Sequence, residues 1–397
     1  MTLTPTHTKI ASYIGYLTQA LTINFAPLLF LTFVDTYDIS LSKITLLIAV
    51  SFGTQLLTDL FEVKFGSKLN TRATIITAHL LAVVGMTGYA YLPDIMPSHF
   101  SGLLICVILS AIGAGIVEVL LSPIVEACPT GNKSAAMSLL HSFYCWGQAG
   151  VVILSTLFFT FIGIEHWRIL AALWAIIPAL GALAFTIVPI YKLEADTKDS
   201  DTRKSSSPFA SKLFFIFFIL MICSGAAEMA MSQWASTFAE SALGVSKSFG
   251  DILGPCAFAI LMGTARIGYA KLSGRIDLRK FIVICGFLCV AAYLIAALSP
   301  SPVISLVGCA LCGLAVGVMW PGTYSIATQT VSMDMRAFAL LAVGGDIGCI
   351  IGPAAVGWIA GFFGDNLKIS FIISAIFPIT IIWALLRLKK LKNRKEN

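Results

Sequence analysis

What most constrains this chain is a succession of apolar stretches, each about as long as a bilayer is thick. A helix crossing about 30 Å of hydrocarbon needs about 20 apolar residues. Such stretches, bounded by charge, proline and glycine, run over residues 10–34, 43–64, 72–92, 99–127, 135–161, 167–190, 211–238, 248–270, 279–299, 302–328, 336–361 and 368–388. Twelve transmembrane helices are expected, and an all-α integral membrane fold follows, because a helix satisfies its own backbone in lipid. Only 12% of the residues are charged and 58% are hydrophobic, against about 25% charged in soluble chains. A water-soluble globule is excluded. The first apolar stretch is too long for a signal-peptide core and reads as a retained helix.

Basic residues orient the spans, since cytoplasmic loops collect Lys and Arg. With both termini inside, 22 of the 26 Lys and Arg fall on the cytoplasmic side, and only Lys43, Arg168, Lys247 and Lys368 fall outside. The expected location is therefore the cell (inner) membrane, multi-pass, with both termini cytoplasmic, and a monomer surrounded by lipid. The net charge of +6 is spread along the chain, so no nucleic-acid partner is expected.

The chain also divides in two. The stretch 191–208 (YKLEADTKDSDTRKSSSP) is charged and Ser-rich, as a flexible linker is. It separates six spans in 1–190 from six in 209–397. Gly115 to Pro123 (GIVEVLLSP) in span four matches Gly313 to Pro321 (GLAVGVMWP) in span ten, which indicates a repeat of about 200 residues. Lys68-Leu-Asn-Thr-Arg72 after span two corresponds to Arg275-Ile-Asp-Leu-Arg279 after span eight. These basic pairs, with Asp277, are candidates for a cytoplasmic gate, and positive-inside charge explains them equally well. Gly313-x-x-x-Gly317 and Gly348-x-x-x-Gly352 permit close helix packing.

A carboxylate inside hydrocarbon costs a few kcal/mol and calls for an explanation. Glu118 lies well inside span four, Glu228 near the middle of span seven, and Asp346 after two glycines in span eleven. Glu126, at the end of span four, can simply be hydrated. In a low-dielectric surround the neutral carboxyl is favoured, so such a group can load and unload a proton. Glu118, Glu228 and Asp346 are the proton-coupling candidates. Span five places His141, Tyr144 and Gln148 at i, i+3 and i+7 on one helical face. Trp234 and Trp320 could stack on the apolar face of a sugar ring; Asn24, Gln55 and Gln233 add hydrogen-bonding groups. Each of these is open to a packing reading as well. No Lys or Arg lies in the central part of any span, which favours a neutral or cationic solute over an anionic one.

Two six-helix halves joined by a cytoplasmic linker resemble the major facilitator superfamily over essentially the whole chain. That resemblance implies a substrate site between the halves near mid-membrane, exposed alternately to each side. An intact Gly-x-x-x-Asp-Arg-x-Gly signature is absent, and the basic pairs resemble it in degenerate form. Gly115-Ile-Val-Glu118, with Pro123 and the His141-Ser-Phe-Tyr144-Cys-Trp-Gly147 run, is similar to the fucose/hexose:proton symporter branch. The resemblance implies that Glu118 serves proton coupling and sugar recognition, and that His141 and Tyr144 take the place of polar span-five positions. The acid of span one in that branch has no counterpart here, where Asn24 and Ala26 stand. Facilitated diffusion and sodium coupling therefore stay open.

The expected function is proton-coupled symport of a small neutral polar solute, a sugar first of all. A proton-coupled exporter of drugs or organic cations is the rival, although span five reads Gly147-Gln-Ala-Gly150-Val-Val without the Gly-Pro pair such antiporters share. A sugar uniporter is the other. HExxH, GxSxG and Walker A patterns are absent from the sequence, so an enzyme is not expected. The ten cysteines lie in or beside apolar runs and outline no disulfide framework; Cys309 and Cys312 read as packing residues. Neither cofactor nor metal is expected.

Overall fold

The structure is a computed structural model that describes residues 3–65, 68–129, 133–191, 212–272, 277–330 and 335–396. Twelve helical spans are long and apolar enough to cross a membrane: α1 Pro5–Tyr37, α2 Leu41–Glu62, α3 Thr71–Ile95, α4 His99–Glu126, α5 Leu139–Phe161, α6 Ile164–Ile187, α7 Leu213–Ala242, α8 Lys247–Tyr269, α9 Leu278–Leu298, α10 Pro302–Ala327, α11 Leu340–Phe362 and α12 Leu367–Leu388. No β-strand occurs among the described residues. The chain is an all-α, multi-pass membrane protein. It forms two compact units, Met1–Asp196 and Thr197–Asn397. Most of the expected linker, from residue 192 onward, lies outside the described residues.

The sequence marks where helices begin. Asn70 caps α3 by accepting from the Ala73 backbone N–H at 3.1 Å, and Asn366 caps α12 by accepting from Lys368 and Ile369. Both amides satisfy donors that the first turn leaves orphaned. Breaks repeat across the halves. Helix α6 is interrupted at Ala175, three residues before Pro178, and α12 at Ala375, three residues before Pro378. Proline cannot donate to the ladder and crowds the preceding turn, so the same residue interrupts both helices at the same register. Gly163 before α6 and Gly364 before α12 both have positive φ, +109° and +67°, which glycine adopts without steric cost.

Inside a bilayer, apolar surface gains little by leaving lipid, and helices associate through close packing of small residues. In the second unit Gly348 and Gly352 of α11 lie against the Ile222 and Ala226 carbonyls of α7, while Gly313 and Gly317 of α10 lie against Phe258 and Met262 of α8. In the first unit Tyr16, Ile75, Val117, Leu121, Leu140 and Phe185 bring α1, α3, α4, α5 and α6 into one buried cluster. All ten cysteines are free and buried. Cys312 faces Cys289 of the neighbouring helix, Sγ to Sγ 3.9 Å, rather than Cys309.

Candidate functional site

In the first unit the hydrogen bonds converge on Glu118 of α4. Its Oε2 accepts from Gln19 Nε2 of α1 at 2.7 Å and from Gln55 Nε2 of α2 at 2.5 Å. Both amides are buried. With both donors spent on one carboxyl oxygen, the other is the atom a proton or a solute hydroxyl would meet. One turn along α4, Ser122 Oγ lies 3.4 Å from Tyr16 Oη, which in turn lies 3.0 Å from His141 Nδ1 of α5. Four helices thus contribute to one polar seam. Asn24 donates to the Ala20 carbonyl at 2.8 Å and to Tyr144 Oη at 3.5 Å, just before α1 tightens into a 3-10 turn at Ala26–Leu29. Gln148 is buried and His141 exposed.

In the second unit, Glu228 of α7 is buried and lies 3.5 Å from Arg266 Nη2 of α8. The sequence places Arg266 near the end of its span, yet its side chain reaches a carboxylate at the middle of a neighbouring helix. The expectation of no cation at depth therefore needs correcting, because a long side chain carries its charge well away from its Cα. That cation is matched by Glu228. Gln233 is buried. Trp234 is fully buried, its indole N–H donating to the Pro353 carbonyl of α11 at 2.9 Å. The Trp320 ring packs over Gly345, the neighbour of Asp346, which is half-buried. A separate cluster ties the α7–α8 turn: Lys247 lies 3.0 Å from Glu240 and 3.2 Å from Asp251, to which Ser236 donates.

The gate candidates have local partners. Arg72 donates to the Phe185, Thr186 and Val188 carbonyls at 2.6, 3.0 and 2.8 Å; these are acceptors at the C-terminus of α6. Asp277 caps α9, accepting from the Lys280 N–H at 3.2 Å. That hydrogen bond, foremost, holds its carboxyl below the ordinary value. Lys68 is exposed over the Phe65 ring, and Arg279 is half-buried. Arg275 lies outside the described residues.

Among the described residues no cluster of His, Cys, Asp and Glu could hold a metal ion. A model of the Major Facilitator Superfamily matches residues 12–335 and 256–397. The chain belongs to this family. Members are transporters, not enzymes. The chain is similar to an uncharacterized MFS-type transporter of Yersinia pestis, 28% identical over 220 residues that cover 53% of this chain and 56% of the relative. The match thus spans little more than half the length of that relative.

Solved structures share the fold of this MFS chain. A bacterial homolog of the human lysosomal transporter Spinster aligns with TM-score 0.77 at 15% identity, covering 97% of each chain. A nucleoside transporter aligns with TM-score 0.78 at 12%, covering 97% of this chain and 99% of that one. The fucose:proton symporter of E. coli aligns with TM-score 0.65 at 17%, covering 96% and 98%. At these identities the likeness establishes the fold alone. The MFS framework thus carries two sets of polar groups, one in each unit. Reading the sequence missed Gln19, Tyr16, Asp59 and Glu62 in the first set. The signal was present for two of them: Gln55, Asp59 and Glu62 stand at i, i+4 and i+7 along α2.

Proposed function

We propose that the protein is a secondary transporter of a small neutral polar solute, a sugar first of all, moved together with protons by alternating access. The observation that carries this reading is Glu118, a carboxylate within a span, held on one oxygen by Gln19 and Gln55. A carboxyl group so placed can bind a proton and hydrogen-bond a hydroxyl, so one group links the two loads. Amide and hydroxyl neighbours suit a polyol better than a lipophilic cation. Arg266, the cation that reaches a mid-span carboxylate, is matched by Glu228, which supports a solute without net negative charge. Likeness in fold to fucose and D-xylose proton symporters is in keeping with this reading. The protein would sit in the cell membrane with both termini cytoplasmic, and His141 and Tyr144 of the first unit would line the solute.

The test is solute-driven proton uptake into proteoliposomes holding a pH dye, with L-fucose, D-xylose and other neutral sugars, for wild type and Glu118→Gln. Sugar addition should acidify wild-type vesicles and leave the variant unchanged. Entry of radiolabelled sugar without proton movement would make the protein a uniporter. Movement of neither would end the sugar assignment.

A further inference from the structure

We propose that Asp59 and Glu62 of α2 relay the proton between Glu118 and the end of that span; the inference rests on the proton-coupling reading of Glu118. Both are buried carboxylic acids in an apolar helix, and the transport reading above gives them no role. They stand on the face that carries Gln55, whose amide is already on Glu118. Helices α2 and α4 pack together and, as alternate spans, run in the same sense. Asp59 lies against α4 at Gly115, one turn from Glu118: a Cβ there would come within 2.9 Å of its Oδ1. Glu62 stands two residues before Lys64, the first basic residue after this apolar stretch, and lies about 10 Å along the axis from Gln55 at the usual helical rise. Asp59 thus lies beside the turn of α4 that carries Glu118, and Glu62 stands one turn further toward the end of α2 that Lys64 marks.

Two unpaired acceptors lie along this path. Gln19, whose Nε2 donates to Glu118, has a buried Oε1 with no hydrogen-bond partner among the described residues, and so does Glu62 with its Oε2. Both are acceptors lacking a donor, at the two ends of the row. A buried acceptor left unpaired costs free energy, and a proton or protonated carrier supplies the missing donor. Around Glu118 the polar groups are Gln19 from α1, which donates to it, and, one turn along α4, Ser122 with Tyr16 from α1 and His141 from α5. Gly115 is also accounted for, since a larger residue would push Asp59 aside. Transfer balances step by step: Asp59 takes the proton that leaves Glu118, Glu62 takes the one that leaves Asp59, and water takes the last.

Infrared spectroscopy of the full chain in liposomes tests this without a substrate. The protonated carboxyl band of Glu118, assigned by its loss in Glu118→Gln, shifts as deuterium enters after transfer to D2O. Asp59→Asn and Glu62→Gln should each slow that shift by about 100-fold, the scale on which a positioned acid or base speeds proton transfer, while Glu62→Asp restores most of the rate. An unchanged Glu118 band position in the variants verifies that they fold. Unaltered exchange in both variants overturns the relay and leaves Glu118 as the coupling group. A wild-type spectrum with no band lost in Glu118→Gln, from about pH 5 to 9, removes the coupling reading and the relay with it.

Discussion

Replacing Arg72 with alanine should loosen the C-terminus of α6, because the guanidinium donates to three carbonyls that have no further helical turn to bond them. A hydrogen bond to a charged group contributes about 1.5–3 kcal/mol when buried. Arg72 is only half-buried, and the freed carbonyls can turn to water, so the three together should amount to about 2 kcal/mol rather than their sum. At about 1.4 kcal/mol per factor of ten, amide hydrogen exchange over residues 183–188 should speed up about 30-fold. Arg72→Lys keeps the charge at the negative end of the helix dipole but loses the planar fork, and should recover about a third of the effect. The assay is exchange read by mass spectrometry on protein in nanodiscs. Exchange in Arg72→Ala within about threefold of wild type would refute the capping argument. Loss of transport with α6 exchange unaltered would return Arg72 to the gate role.

Other outcomes follow from the same geometry. Gly348→Ala places a methyl group on the Ile222 backbone carbonyl, which cannot step aside, whereas Gly53→Ala meets nothing within 4 Å. The first should cost about 1–3 kcal/mol and lower the melting temperature in detergent, and the second should leave it unchanged. Trp234→Phe removes the donor to the buried Pro353 carbonyl and should cost about 1–3 kcal/mol in the same melting assay. Asp277→Ala removes the cap of α9, worth about 1 kcal/mol, and should speed exchange of the Lys280 amide about fivefold at pH 7. Because the folded carboxyl of Asp277 titrates below its ordinary value, the cap contributes fully above about pH 4. The difference between variant and wild type should fade as pH falls further.

The architecture was legible because lipid leaves few choices. Once apolar stretches reach bilayer length, helices are the economical way to satisfy the backbone, and the spans read from the sequence correspond one for one to α1–α12. Span five blurs at its start, since the helix begins at Lys133, two residues before the apolar stretch read from 135. Polar residues of a loop can extend a helix beyond the membrane without changing its period. The repeat was visible in sequence as Gly115–Pro123 against Gly313–Pro321. Its other trace, the paired breaks before Pro178 and Pro378, needed backbone geometry, because proline inside a span bends one helix and leaves another nearly straight.

The site was legible only as a set of residue types. Glu118 stood out because a carboxylate in hydrocarbon is costly, but its partners did not, since Gln19 is one polar residue in a helix already rich in Thr that also carries Asn24. Sequence position fixes how deep a Cα lies and says little about where a long side chain ends. Arg266 illustrates this: its Cα is within four residues of the end of α8 while its guanidinium meets Glu228 at mid-span. Arg72 illustrates the converse, a basic residue in a degenerate gate pattern whose three hydrogen bonds go to the end of a helix in its own unit. In both cases the charge pattern left the partner unread. Pairing depends on which neighbour offers an unsatisfied acceptor within reach, and buried acceptors such as Gln19 Oε1 and Glu62 Oε2 emerge only once the side chains are placed, whereas the carboxylate count that drew attention to Glu118 needs no placement.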